Sequence, residues 1–148
     1  MKVVVQRVKK ASVKVDNQIV GSTSHGLLLL VGFTHTDTVK EIDYLIDKIV
    51  NLRIFDDENH IMNKSLLDIK GSILSISQFT LYADCRKGRR PSYGDALNST
   101  NAKVLYEEFN KRLGSIVKVE TGIFGADMEV TLVNDGPVTI ILEKECEL

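Results

Sequence analysis

Two stretches of this 148-residue chain carry residue types that chemistry can use. The first is Ser77-Gln78-Phe79-Thr80-Leu81-Tyr82-Ala83, where an apolar run, Ile73-Leu74-Ser75-Ile76, turns polar. Small hydroxyls and an amide at a strand end can aim hydrogen-bonding groups into a cleft. The same pattern also suits an ordinary strand with polar outward positions, and pattern alone favours that reading. The second stretch is Asn134-Asp135-Gly136-Pro137-Val138-Thr139, set between two apolar runs. Asn, Asp, Gly and Pro together describe a tight turn, and proline suits the first position of a strand. A chemical use would need a cis Gly136-Pro137 bond that presents its carbonyls. Since only about 5–6% of X-Pro bonds in folded proteins are cis, pattern alone predicts the turn.

A third feature is Arg86-Lys87-Gly88-Arg89-Arg90-Pro91, with four cations in five positions. This local basic loop suits phosphate contacts, and equally a solvated surface. The familiar catalytic templates are missing: no G-x-S-x-G, no P-loop and no dinucleotide fingerprint occurs. His25, His35 and His60 lack metal-ligand spacing and stand beside no nucleophile, so surface or loop positions are expected. Asp56-Asp57-Glu58 could hold a divalent ion but reads better as a solvated turn. Cys85 and Cys146 show no Cys-x-x-Cys motif and are expected to be free thiols. No metal or cofactor is expected.

The elements that must position these residues alternate in kind. Met1–Asp16 is valine-rich, with period-two alternation at Val13 to Asp16 and a slip near Arg7 to Lys10 that predicts a bulge. Asp16-Asn17-Gln18 reads as a turn. The continuous apolar run in Gly26 to Phe33 predicts a strand buried on both faces. Val39, Ile42, Leu45, Ile46 and Ile49 share one face of a helix, and Thr38 with Glu41 fits a capping box. Ser72 to Tyr82 is expected to be a strand. Ala102, Leu105, Phe109 and Leu113 mark a second helix that Gly114 can terminate. Strands near Ile116–Glu120, Met128–Val133 and Val138–Glu143 close the chain. A tight turn between the last two predicts a sheet that cannot be all parallel. The expected fold is mixed α/β, a curled, partly barrel-like sheet with two covering helices in a single domain over residues 1–148.

Composition fits a folded, water-soluble chain: 43% hydrophobic, 26% charged, net charge −1. With no global basic field, any nucleic-acid contact must come from a local patch. The longest apolar run, Leu27 to Val31, is far too short to span a bilayer. The start alternates polar and apolar residues too soon for a signal peptide, so a cytoplasmic protein with no membrane association is expected.

Taken together, these stretches resemble the D-aminoacyl-tRNA deacylase family. Ser77-Gln78-Phe79-Thr80 is similar to its first active-site motif, and Asn134 to Thr139 to its Gly-Pro motif. Arg7-Val8, Ala11-Ser12-Val13, Lys87-Gly88, Arg90-Pro91-Ser92 and Gly122 to Met128 match the flanks, so the likeness is collinear over essentially the whole chain. Tyr93, where phenylalanine is common, and the tail Glu145 to Leu148 depart from the family pattern. The resemblance implies hydrolysis of the ester between a D-amino acid and tRNA, with rejection of L-aminoacyl-tRNA and activity on mischarged glycyl-tRNA(Ala). It implies a homodimer in which a cis Gly136-Pro137 of one subunit caps the pocket around Ser77, Gln78, Phe79 and Thr80 of the other. Backbone N–H groups near Phe79 and Thr80 would form the oxyanion hole. Thr80 would position rather than attack, because no neighbouring base activates it. The same likeness places Phe124, Met128 and Ala102 around the terminal adenosine, with core packing as the other reading for Met128 and Ala102. Arg86, Lys87, Arg89 and Arg90 would then face tRNA phosphates. A non-catalytic RNA-binding or protein-interaction module, and an esterase with a threonine nucleophile, are the competing classes.

Overall fold

The valine-rich start forms one long strand, β1 (Lys2–Val15), and three other strands of the sheet pair directly with it. Asp16 and Asn17 both take positive φ, 50° and 63°, and turn the chain back into β2 (Gln18–Thr23). This left-handed pair matches the right-handed twist of a hairpin. β3 (Gly26–Gly32) returns antiparallel along the first half of β1, with Val3 opposite Val31 and Val5 opposite Leu29. The computed structural model describes residues 1–147 of the chain.

The helix α1 (Val39–Asn51) starts where the sequence places it. Thr38 Oγ1 accepts the Lys40 N–H at 3.2 Å, and Glu41 Oε2 accepts the Thr38 N–H at 2.7 Å. A small hairpin, β4 (Phe55–Asp56) with β5 (Met62–Lys64), and the single-turn α2 (Leu66–Ile69) lead to β6 (Ser72–Ser77). β6 lies parallel to β3, and a short β7 (Val119–Thr121) lies parallel to β6 after α3 (Ser99–Gly114). β7 comes back towards β2, where the Ser22 N–H donates to Glu120 Oε1 at 3.1 Å. The sheet is therefore mixed and nearly closed on itself, with two long helices covering it, as expected.

Its two faces carry two apolar clusters. Leu27, Leu29 and Val31 of β3 face the helices, against Ile42, Leu45 and Ile49 of α1 and Phe109 and Leu113 of α3. Leu28 points the other way, into the curl, with Val8, Val13, Leu74 and Ile76. Burial of both faces explains the uninterrupted apolar run of β3.

Three sequence expectations need correction. The strand expected over Ser72 to Tyr82 stops at Ser77, and Phe79–Tyr82 winds into a 3-10 turn instead. Gly114 is the last helical residue and is not a left-handed cap; Ser115 ends the helix in right-handed geometry. The tight turn at Asn134 to Thr139 is absent. The two expected C-terminal strands are one, β8 (Glu129–Glu143), antiparallel to β1 along nearly its whole length. The antiparallel part of the sheet comes from β1 and its partners, not from a C-terminal hairpin.

The predicted slip in β1 is real and has a counterpart in β8. Gln6 pairs with Thr139 and Val8 with Asn134, so Asp135 to Val138 bulge out of register. Val8 to Lys10 then faces only Asn134 to Val133, which puts an extra residue into β1. The change of register turns β1 over. Val3 and Val5 face the helices, whereas Ala11 and Val13 face the interior of the curl.

Candidate active site

The parallel strands β3 and β6 end side by side, and the chain leaving β7 passes the same end. In open α/β sheets this carboxyl edge is where ligands settle. Here it holds a cavity of ≈ 600 Å³. β3 contributes Val31, Gly32 and, just beyond it, Phe33; β6 contributes Ile76 and Ser77; the segment after β7 contributes Phe124 and Met128. Asn98, Ser99 and Ala102 form the wall supplied by the start of α3.

The first motif turns at the rim of this cavity. The Gln78 N–H donates to Val31 O at 2.8 Å, extending the β3 pairing by one residue before the 3-10 turn begins. Gly32 makes room for this, since a Cβ there would meet Gln78 O at 2.9 Å. Within the turn, the Leu81 N–H donates to Gln78 O. The first N–H groups of a helical turn have no partner inside it, and here these belong to Phe79 and Thr80. Adjacent free N–H groups of this kind can donate to an anionic oxygen.

Ser77, Gln78 and Phe79 line the cavity, and so do Phe124, Met128 and Ala102. Six of the sequence-predicted residues therefore meet in one place. Thr80 does not line it; its Oγ1 is hydrogen-bonded to Gln78 Nε2. No base is paired with that hydroxyl among the described residues. Phe79 is 55% exposed and packs edge-to-face on Tyr93, with centroids 5.1 Å apart. This aromatic pair stands at the mouth.

Arg86, Lys87, Arg89 and Arg90 lie on an exposed loop that does not reach into the cavity. Its neck is closed by Asp84 and Ser92, whose N–H groups donate to each other's carbonyls at 2.7 and 2.9 Å. Tyr93 follows directly, so the loop rises beside the cavity mouth. Arg86 is turned back on Asp84, with Nη2 2.8 Å from Oδ2, and its hydrogen bonds hold that carboxyl down at about 2. Among the described residues, Lys87, Arg89 and Arg90 have no acidic partner.

Gly136 and Pro137 lie away from this cavity, on the bulge of β8, and their peptide bond is cis. Gly136 has φ 119°, a conformation that glycine alone adopts readily. The bulge is held from beneath by Arg7, which is 7% exposed. Arg7 Nε donates to Asp135 O at 3.2 Å, and its Nη1 donates to Ile54 O at 2.8 Å. Asn134 Nδ2 bridges the base of the bulge by donating to Arg7 O and Val138 O, at 2.9 and 3.0 Å.

The bracing by Arg7 and the wall made by Tyr93, Leu97, Asn98 and Ser99 were not assigned from sequence. A lone arginine within a valine-rich strand was a signal for the first. Asn98 before a helix was a signal for the second, since its Oδ1 caps α3 by accepting the Asn101 N–H at 3.0 Å. All three histidines are exposed, and Cys85 and Cys146 are free thiols. Among the described residues, no helix is long and apolar enough to cross a membrane.

Comparison with known proteins gives this arrangement a context. Residues 4–143 match the family model for D-Tyr-tRNA(Tyr) deacylase. A D-aminoacyl-tRNA deacylase of Clostridium botulinum (strain Alaska E43 / Type E3) is 60% identical over 144 residues, covering 97% of each chain. A solved structure named c-Myc DNA Unwinding Element Binding Protein is 39% identical with a TM-score of 0.93, covering 99% of this chain and all of its own. A second, described as a probable eukaryotic D-amino acid tRNA deacylase, has a TM-score of 0.82 at 17% identity over 95% of this chain and 97% of its own; it speaks for the fold alone. With both motifs in place and the family model spanning nearly its full length, the chain belongs to the D-Tyr-tRNA(Tyr) deacylase family.

Proposed function

We propose that this protein hydrolyses the ester bond of D-aminoacyl-tRNA in the cytoplasm, releasing free D-amino acid and tRNA, and spares L-aminoacyl-tRNA. The observation that carries the reading is the 3-10 turn that starts with Phe79 at the rim of a cavity lined by Phe124, Met128 and Ala102; its first N–H groups, on Phe79 and Thr80, have no partner within the turn. Water attacks the ester carbonyl, the carbonyl oxygen becomes anionic, and these N–H groups stabilise it. Collapse of the intermediate breaks the bond to the 3′-oxygen, which takes up a proton. The terminal adenine stacks on Phe124 beside Met128 and Ala102, as bases do on aromatic platforms. Lys87, Arg89 and Arg90 face the phosphates of the acceptor end, and Arg86 joins them if it leaves Asp84.

No side chain of the first motif is a competent base, since Ser77, Gln78 and Thr80 bind no proton at neutral pH. The ribose 2′-hydroxyl of the substrate then activates the attack. Chirality comes from a second subunit. Gly136 and Pro137 stand on a bulge that its own chain leaves outside the sheet, which fits a cap for the cavity of a partner in a two-fold dimer. Their carbonyls bind the α-amino group of the D-form, and the side chain of an L-residue collides with them. Glycine has no side chain to collide, so glycyl-tRNA(Ala) is a substrate too, and the protein serves as a proofreader in translation.

A second reading is binding of nucleic acid without turnover; the name of the 39% identical structure describes DNA-element binding for that protein. Hydrolysis of D-tyrosyl-tRNA ending in ribose or in 2′-deoxyribose separates the readings. The proposed mechanism gives fast release from the ribose form and at least a hundredfold slower release from the deoxy form, on the order of one lost catalytic hydrogen bond. Binding with no release from either form supports the second reading. Equal release from both removes the 2′-hydroxyl from the mechanism.

A further inference from the structure

We propose that Tyr106 is a positioning residue that sets the nucleoside platform and the hydrolytic rim against each other. The inference rests on the deacylase reading above. Tyr106 lies on α3 one turn beyond Ala102, on the same helix face, and is 3% exposed. Its hydroxyl donates to Ser75 O at 2.7 Å. Ser75 stands two residues before Ser77 on β6, so this bond anchors the strand that delivers Gln78, Phe79 and Thr80 to the rim.

The same carbonyl accepts the Gly122 N–H at 3.2 Å, where the segment carrying Phe124 leaves β7. The Tyr106 ring then packs on Phe124 itself, with centroids 5.9 Å apart and planes inclined by 40°. One side chain thus joins three walls of the cavity: α3, the end of β6 and the segment after β7. Burial pushes the Tyr106 phenol up, so the hydroxyl keeps its proton at any working pH.

The two halves of this side chain have separable duties. The hydroxyl holds the strand that presents the oxyanion donors, which matters to the chemical step. The ring supports the platform that holds the adenine, which matters to binding. Displacing a reacting group by about 1 Å can cost about a hundredfold in rate. Removing the hydroxyl leaves Ser75 O with the Gly122 N–H, so that carbonyl keeps a partner; only the long 3.5 Å hydrogen bond from the buried Ser75 Oγ to the Tyr106 oxygen is lost with it, a modest cost that the melting temperature reads.

The test compares wild type, Tyr106→Phe and Tyr106→Leu, each with D-tyrosyl-tRNA as substrate and with a non-hydrolysable D-tyrosyl-3′-amido-adenosine as binding probe. Tyr106→Phe is expected to melt within about 3 °C of wild type, bind the probe within about twofold, and lose about tenfold or more in kcat with KM unchanged. Tyr106→Leu, which removes the ring as well, is expected to weaken probe binding by about tenfold in addition. Wild-type kcat in Tyr106→Phe overturns the inference. So does a loss in which melting temperature, probe affinity and kcat fall together, since that is merely structural. An inactive wild type overturns the deacylase reading and this inference with it, whereas an active wild type matched by Tyr106→Phe overturns this inference alone.

Discussion

Thr80 occupies the position where a nucleophile would be sought, yet its hydroxyl is engaged by Gln78 and no base stands behind it. A threonine hydroxyl without an activating partner is a poor nucleophile at neutral pH. Thr80→Ala should therefore keep measurable deacylation, with a loss of about tenfold from disturbed positioning of the turn. Complete loss of turnover with binding intact, or covalent labelling at Thr80, would contradict this. Arg7 is the opposite case, a residue far from the rim on which the bulge depends. Arg7→Ala removes a buried cation and the donor to Ile54 O and Asp135 O. The expected cost is about 2–4 kcal/mol of stability, together with a loss of D-over-L selectivity, because the Gly136-Pro137 segment is no longer held. Denaturant unfolding and paired D- and L-ester assays measure the two effects. Preserved selectivity would show that the bulge holds itself.

At the scale of elements, α1 offers the sharpest check of local physics. Burial pushes the Glu41 carboxyl up, but hydrogen bonds from the Thr38 backbone and side chain outweigh it, and its pKa falls below the usual 4.5. A carboxyl whose folded pKa is lowered stabilises the fold fully above its unfolded pKa and loses that contribution as pH falls through the folded value. Thr38→Ala should therefore cost about 1 kcal/mol near neutral pH, or about 3 °C in Tm. The gap from wild type should narrow below pH 4.5. A gap that stays constant from neutral to acid pH would remove Glu41 from the cap. This helix was legible in the sequence because cap and apolar stripe are local signals. The end of β6 was not: the alternation through Tyr82 looks like strand, and only the neighbouring Val31 carbonyl shows that pairing stops at Gln78. Asn134 to Thr139 misled for a related reason. Its residues are those of a turn, but β1 pairs with the residues on both sides of them, so tertiary pairing carries the strand past the irregularity. The cavity-lining residues of both matched regions were legible as a family likeness, while Tyr93 and Arg7 owe their roles to contacts across the fold.

For the whole molecule, the proposed site has two parts that one chain does not bring together. The cavity gathers Ser77 to Phe79 with Phe124, Met128 and Ala102, whereas Gly136 and Pro137 project elsewhere on β8. Among the described residues β8 pairs only with β1, which leaves its outer edge open, and Ile141 on it is 70% exposed. An open apolar edge strand needs protection, and pairing with a second copy, as proposed above, would supply it. Sedimentation should therefore find a dimer at micromolar protein. A monomer that still discriminates D- from L-esters would exclude a shared site.

Chirality at an ester is the central claim, so the most direct measurement is deacylation of matched D-tyrosyl-, L-tyrosyl- and glycyl-tRNA by the purified protein. Fast release from the D- and glycyl-esters, with the L-ester spared by at least about a hundredfold, is the predicted result. Equal hydrolysis of the D- and L-esters would contradict the role given to Gly136 and Pro137, and binding without hydrolysis of any of the three would contradict the account as a whole.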